Sequence, residues 1–440
     1  MAARLTAAAI LLLSGLLAWL AITVPLVARA LQVSIAISMA YVAWLAWQGW
    51  RVMRRTMAEA RSGAGEPTGL ARGLSFVSIV IPARNEASVI GPSVAALRGL
   101  AYADTDGNPA FELLVVDDGS DDDTGELARR SDGAADLRVV RRDPGGPRTK
   151  GGVLAFAMPY LRGEIVAVID ADTLVERSFL ESAMRGWRRD DSAAALQVSR
   201  RPRNTVTWLT RAQAEEQLMD MASQCGRWAT DGTAELRGNG MFVRRAALEA
   251  VGGWSESALT EDLDLSTRLS SAGYHVTLAP EAVVHEEAVE TSVALWRQRM
   301  RWAEGSLRRL LEHGPALLSG PQPLGRKLDF LAFAAEFLVP PLFAAAVVAS
   351  LLTIPMPRPA DWTVPLSFFI GYGLGTFLLA VAGLAASGER GAALIGRAAR
   401  GALFLSHWLV VVPAALLRIA LWPVRGTFVQ TPRSTRPQAR

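Results

Sequence analysis

The stretch Ile165-Val166-Ala167-Val168-Ile169-Asp170-Ala171-Asp172 decides the reading of the fold. A short apolar run, β-branched at four of its five positions, ends in two carboxylates. Such a run suits a strand buried on both faces better than one with a wet face. In open α/β sheets, ligands collect at the C-terminal ends of strands, so the acids fall where chemistry is expected. Carboxylates at i and i+2 on a strand tip call for a cation. Hard oxygen ligands suit Mg²⁺ or Mn²⁺, either of which would bridge phosphates. An isolated D-x-D also reads as a solvated acidic turn, and the neighbouring segments weigh against that.

Working outward, Phe76–Ile81, Leu113–Val116, Leu137–Val140 and Ala193–Val198 are similar runs separated by longer mixed segments. This alternation predicts βαβ units and a mostly parallel, Rossmann-like α/β sheet. Two more runs end in turn or acidic chemistry: Pro82-Ala83-Arg84-Asn85-Glu86, and Asp117-Asp118-Gly119-Ser120 followed by the solvated acids Asp121–Asp123. Further on, Thr260-Glu261-Asp262 opens a helix-like stretch and Gln298-Arg299-Met300-Arg301-Trp302 lies near the end of the polar region. Asp262 reads as a general base for an attacking hydroxyl. Arg301 reads as a diphosphate clamp, since a guanidinium matches phosphate oxygens. Trp302 reads either as a platform for a sugar ring or as an aromatic at a membrane interface. Trp254 reads as core. Taken singly, each of these has an ordinary structural explanation; the set carries the argument.

The 440-residue chain is 50% hydrophobic and only 20% charged. Its apolar residues gather at the two ends. Leu5–Val27 and Leu31–Trp50 are each about the length of a bilayer span, and Arg51, Arg54 and Arg55 follow, which predicts a hairpin with both ends cytoplasmic. Ala28-Arg29-Ala30 resembles a leader-peptide cleavage site, but the length of the first stretch and the basic stop after the second favour two anchors. Phe330–Ile354, Val364–Ala386 and Ala402–Trp422 repeat the signal. Three full spans would leave the arginine-rich tail outside, so one stretch is expected to be re-entrant or interfacial. Phe330–Ile354, with Glu336 and Pro340-Pro341, is the candidate. Thr291–Leu311 reads as a basic amphipathic helix at the interface. One cysteine excludes an internal disulfide framework, scattered histidines argue against a His-rich metal cage, and a net charge of +4 gives no reason to expect nucleic acid.

In this order, P-x-R-N-E, D-D-G-S, D-x-D, T-E-D and Q-x-x-R-W resemble the membrane-embedded family 2 glycosyltransferases with a GT-A fold, a group that includes cellulose and hyaluronan synthases. The resemblance runs from about Phe76 to Gly305. It implies a cytoplasmic GT-A domain at 74–290, flanked by two transmembrane helices (1–56), a linker (57–73), interfacial helices (291–326), a C-terminal membrane region (327–424) and a basic tail (425–440). It implies that Pro82, Arg84, Glu86, Asp117, Asp118, Lys150, Asp170 and Arg301 bind a UDP-sugar donor, and that Asp170 and Asp172 hold Mg²⁺ or Mn²⁺. It implies Asp262 as base beside Glu261, and Gly238, Asn239, Gly240, Met241, Gln298 and Trp302 on the acceptor side. Lys150 matches the family's G-K lysine, although the asparagine usual after it is missing. Phe428–Arg433 resembles a gating segment.

Around Arg237–Gly240, Leu295–Gly305 and Ser406–Leu409 the text is most similar to the monoglucosyldiacylglycerol synthases within that family. This implies an inverting hexosyltransferase acting from UDP-glucose on a membrane lipid such as diacylglycerol. A processive β-glycan synthase is the alternative, and a nucleotide-sugar sensor without turnover is a third reading. The resemblance implies an integral membrane protein whose catalytic domain is cytoplasmic.

Overall fold

The computed structural model describes residues 2–62, 75–143, 148–356 and 362–422. Its centre is an eight-stranded sheet: β1 (Val77–Ala83), β2 (Phe111–Asp117), β3 (Asp136–Arg141), β4 (Ile165–Val168), β5 (Leu174–Val175), β6 (Ala195–Pro202), β7 (Met241–Arg244) and β8 (Val276–Glu286), in the order β3-β2-β1-β4-β7-β6-β8-β5. The parallel half is β3-β2-β1-β4, and β6 and β8 also pair in parallel. β7 and β5 run against their neighbours, so the sheet is more mixed than expected. β3, at the edge, is only half-buried, whereas β1, β2 and β4 are almost wholly buried.

Register places the chemistry. Ala83 pairs with Asp117, and Val80 with Val168, so the tips of β1, β2 and β4 end at one edge. The short helices α3 (Ile90–Arg98), preceded by α1 (Ala2–Thr23) and α2 (Pro25–Arg61), then α4 (Thr124–Arg129) and α5 (Lys150–Ala157), follow β1, β2 and β3. Next come α6 (Phe179–Arg188), α7 (Trp208–Ala229), α8 (Arg245–Ala250), α9 (Glu261–Ser271) and α10 (Ser292–Ser319), and the chain continues into α11 (Leu324–Glu336), α12 (Val339–Thr353), α13 (Thr363–Ala386), α14 (Gly391–Leu405) and α15 (Trp408–Leu421). Trp254 lies in the core, as expected.

α7 joins the sheet domain to the apolar helices. A Cβ on Gly226 would come 2.2 Å from the Leu45 carbonyl, one on Gly49 2.0 Å from that of Ala222, and one on Gly383 2.4 Å from that of Leu218. Only glycine permits these backbone approaches of α2 and α13 to α7. Glu215 of α7 is buried and ion-paired with Arg397 (2.9 Å) and Arg400 (2.6 Å) of α14.

Among the described residues, five stretches are long and apolar enough to cross a membrane: Ala3–Thr23, Pro25–Arg61, Leu324–Thr353, Thr363–Ala386 and Gly391–Leu421. The first break comes at Val24, where Pro25 starts α2, and not around Arg29. α2 then continues to Arg61, into the segment read as a linker. The expected break in Phe330–Ile354 is present between α11 and α12, and a second one at Ser406-His407 separates α14 from α15. The gating-like segment Phe428–Arg433 lies outside the described residues.

Candidate active site

The tips of β1, β2 and β4 open into one cavity of about 1110 Å³. Pro82, Arg84, Glu86, Asp118, Lys150, Asp170, Asp172, Gly238, Glu261, Asp262, Gln298, Arg301 and Trp302 all line it. Residues drawn from nearly the whole sheet domain and α10 thus meet in one space.

The strand-tip loops are built against each other. The Asn85 amide donates to Ser120 Oγ (3.0 Å) and the Glu86 amide to Thr124 Oγ1 (2.8 Å), while Asn85, with a positive φ of 51°, accepts from the Asp121 amide (2.8 Å). Asp118 is buried and paired with Arg142 at 2.6 Å. Its neighbour Asp117 does not line the cavity: it accepts from the Ser120 amide (2.9 Å) and pairs with Arg141 (3.1 Å). The donor role read for Asp117 is therefore corrected to that of holding the turn, because successive residues on a strand point to opposite faces. Asp122 is more than solvated, since it accepts from the Ala87 amide (3.2 Å).

Lys150 opens α5 behind the N-cap Thr149, which accepts from the Gly152 amide. Its ammonium donates to Asp170 Oδ1 (2.6 Å) and the Gly238 carbonyl (2.7 Å), and lies 3.5 Å from Glu261. Burial alone would lower its pKa, but Asp170 and Glu261 outweigh that and hold it above the usual lysine range. Glu261 is pushed up to about 7, chiefly by burial and also by Asp262, against the pull of Lys150. Asp262 is half-buried beside it and faces Gly238, whose φ is +78°.

Three residues read as acceptor-side are not in the cavity wall. Asn239 is 1% exposed and brackets the D-x-D loop: its Oδ1 accepts from the Asp170 amide (3.2 Å), and its Nδ2 donates to Thr173 (3.0 Å) and Glu286 (2.9 Å). A Cβ on Gly240 would come 2.4 Å from Val198, so this glycine serves packing. Met241 is fully buried in the core. The acceptor role is corrected for all three, since the turn at Gly238 leads straight into β7, a buried strand. Trp302 lies over the Arg299 guanidinium at 4.2 Å.

Several cavity residues escaped the sequence reading. Glu286 ends β8 and Glu287 follows it, and the Glu287 amide donates to Asp172 (3.4 Å). They obey the same strand-tip rule, but β8 itself was missed. Gln213, Glu216, Gln217 and Asp220 form a polar stripe at helical spacing on α7, a period legible in the sequence. Arg237 pairs with Asp220 (3.0 Å) and Glu235 (3.1 Å). Glu235 is held down at about 2: burial would raise it, but Arg309, Arg227 and Arg237 prevail. Away from the acids, Leu31, Ile35, Met39, Leu342, Phe368 and Tyr372 carry the same cavity between apolar helices.

Acid-tipped parallel strands, a D-x-D loop and an opposed carboxylate on one side of a mixed sheet define a GT-A glycosyltransferase. A solved mannosyltransferase from Pyrobaculum calidifontis, PcManGT, studied with GDP-Man and Mn²⁺, shares the fold with a TM-score of 0.56 at 21% identity, over 88% of this chain and 99% of that one. The model of "Glycosyltransferase like family 2" matches residues 75–305, and the chain belongs to that family. It is 34% identical to the beta-monoglucosyldiacylglycerol synthase of Synechocystis sp., over 90% of this chain and 85% of the relative. It is 33% identical to the protein of that name in Trichormus variabilis, over 81% and 76%. The chain is thus an enzyme, a glycosyltransferase, which sets aside the sensor reading. Similarity to the poly-beta-1,6-N-acetyl-D-glucosamine synthase of Staphylococcus aureus is 27% and spans 54% of this chain.

Proposed function

We propose that the protein transfers a hexose, glucose in our reading, from a UDP-sugar to the hydroxyl of a membrane lipid such as diacylglycerol, inverting the anomeric centre to a β-linkage. The observation that carries this is the continuity of one cavity from the acidic strand tips to the apolar walls of α2, α12 and α13. Such a shape suits a substrate with a polar head and a hydrocarbon tail. The names borne by the Synechocystis and Trichormus relatives, beta-monoglucosyldiacylglycerol synthase, support the same lipid and sugar.

Asp170 and Asp172 offer hard oxygens, and among the described residues no three His, Cys, Asp or Glu side chains converge closely enough to enclose a metal. That partial set fits Mg²⁺ or Mn²⁺ sharing its shell with the donor's phosphates. When bound, the ion would neutralise charge on the departing diphosphate. Lys150 adds a fixed positive charge at the same place, and Arg301, which lines the cavity, would clamp phosphate oxygens. Asp262 takes the proton from the lipid hydroxyl as its oxygen bonds to the anomeric carbon and the bond to UDP breaks. Glu261 keeps Lys150 in position. The apolar helices hold the acceptor beside the base and turn a three-dimensional search into a local one. We read the five apolar stretches as membrane-embedded, with the sheet domain on the cytoplasmic side that Arg51, Arg54 and Arg55 mark.

Membranes carrying the protein, given labelled UDP-glucose, UDP-galactose or UDP-N-acetylglucosamine, test this reading. A labelled glycolipid in the organic phase from UDP-glucose is expected. Label confined to polymer at the chromatographic origin would replace it with the β-glycan synthase reading.

A further inference from the structure

One acid in the cavity has no part in the transfer step. Glu336 ends α11 at the elbow before α12, and its side chain is open to the cavity. Among the described residues it makes no hydrogen bond and no ion pair, unlike Asp329 on the same helix, which pairs with Arg227 at 3.0 Å. The charges facing it are Arg227, Asp329, Glu235 and Arg237. Both arginines already have carboxylate partners: Arg227 has Asp329, and Arg237 has Asp220 and Glu235.

The elbow is linked to α9, the helix that carries Asp262, through Arg309 of α10. Phe333, one turn before Glu336, rests on Arg227 (4.5 Å) and Arg309 (5.3 Å). Arg309 donates in turn to Thr267 of α9 (2.9 Å). Phe337, Leu338 and Leu342 beside Glu336 are apolar and line the same space. A carboxylate among such walls is costly unless something donates to it. A phosphate in the acceptor's headgroup would be repelled; a hydroxyl would be held.

A diacylglycerol has one free hydroxyl, and that is the one Asp262 deprotonates. We infer that Glu336 accepts a hydrogen bond from a second headgroup hydroxyl, and that the enzyme therefore also glycosylates uncharged lipids bearing more than one, a glycosylated diacylglycerol above all. The step balances as the first transfer does: the acceptor oxygen bonds to the anomeric carbon, its proton passes to Asp262, and UDP leaves with the electron pair of the broken bond. This rests on the lipid-acceptor reading above.

The test uses the purified full-length protein in detergent micelles with labelled UDP-glucose. The acceptors are dioleoylglycerol, monooleoylglycerol, a monoglucosyl diacylglycerol and phosphatidylglycerol. Wild type should use the first three and leave phosphatidylglycerol. In Glu336→Leu, kcat/KM should fall about tenfold or more for the two polyhydroxyl neutral lipids. It should change by less than about twofold for dioleoylglycerol, with the KM for UDP-glucose unmoved. Glu336→Gln, which keeps an accepting oxygen, should retain part of the preference. An equal fall on every acceptor, or an unchanged ratio, overturns the assignment of Glu336 while leaving the lipid transferase intact. Failure of wild type on every lipid removes both.

Discussion

The carboxylate of Asp262 sits against Gly238, so that a Cβ built on that glycine would lie 3.2 Å from Asp262 Oδ2. The backbone there has φ +78°, where an L side chain is strained by about 1–2 kcal/mol. Gly238→Ala should therefore displace Asp262, the proposed base, as well as strain the turn. We expect kcat to drop by about tenfold or more with a modest loss of stability, and Asp262→Asn to drop it by about 10²–10⁴-fold. UDP release in the presence of acceptor, read beside thermal melting, checks both. An Asp262→Asn variant as fast as wild type would remove Asp262 from the mechanism.

Burial pushes the Glu261 carboxyl up to about 7, against an ordinary 4.5. A raised carboxyl contributes stability that is fully present below the unfolded value and lost as pH rises through the folded one. The loss for wild type therefore falls between about pH 4.5 and 7. Glu261→Gln removes this dependence. Relative to wild type it should gain roughly 1–3 kcal/mol between pH 4 and pH 8. Melting in detergent across that range measures it, and parallel curves would contradict the prediction.

On the proposed reading the D-x-D carboxylates would supply only part of a metal's shell, so metal affinity should depend on nucleotide. Mn²⁺ binding followed by electron paramagnetic resonance should tighten by about tenfold or more when UDP is added. Asp172→Asn should abolish that gain. Chelation should stop transfer, and Mg²⁺ or Mn²⁺ should restore it.

Glu215 is 1% exposed and holds two arginines of α14 whose side chains are 32% and 22% exposed. Glu215→Ala leaves both guanidiniums without this carboxylate. A cost of about 2–3 kcal/mol is expected, below that of a fully buried pair because the arginines keep some solvent. A lower melting temperature and faster proteolysis within 391–405 would report the loosening of α14 from α7.

Much of the acidic lining of the cavity is legible locally. A β-branched run followed by acids is a strand and its tip, and Asp170, Asp172, Asp118, Glu261 and Asp262 follow from that rule and from helix-start chemistry. Met241 and Asn239 misled because they adjoin Gly238 in the chain, and nearness in sequence says nothing about which face of a turn looks into a cavity. The α7 period and the place of Glu336 in an apolar stretch can be read locally, but that Glu216, Asp220 and Glu336 face the cavity cannot, for the opposite reason. Their partners lie on other elements: Arg299 on α10 for Glu216, Arg237 before β7 for Asp220, and the cavity itself for Glu336.

The amino-acid sequence alone determined the strand periodicity, the acidic tips, the apolar ends and the order of the motifs, because each depends on residues only a few positions apart. Which acids face one space, which merely brace a loop, and how that space runs on between the apolar helices were decided only by tertiary packing. Convergence of distant segments depends on register and on close backbone approaches such as Gly49 to Ala222, and no local pattern encodes either.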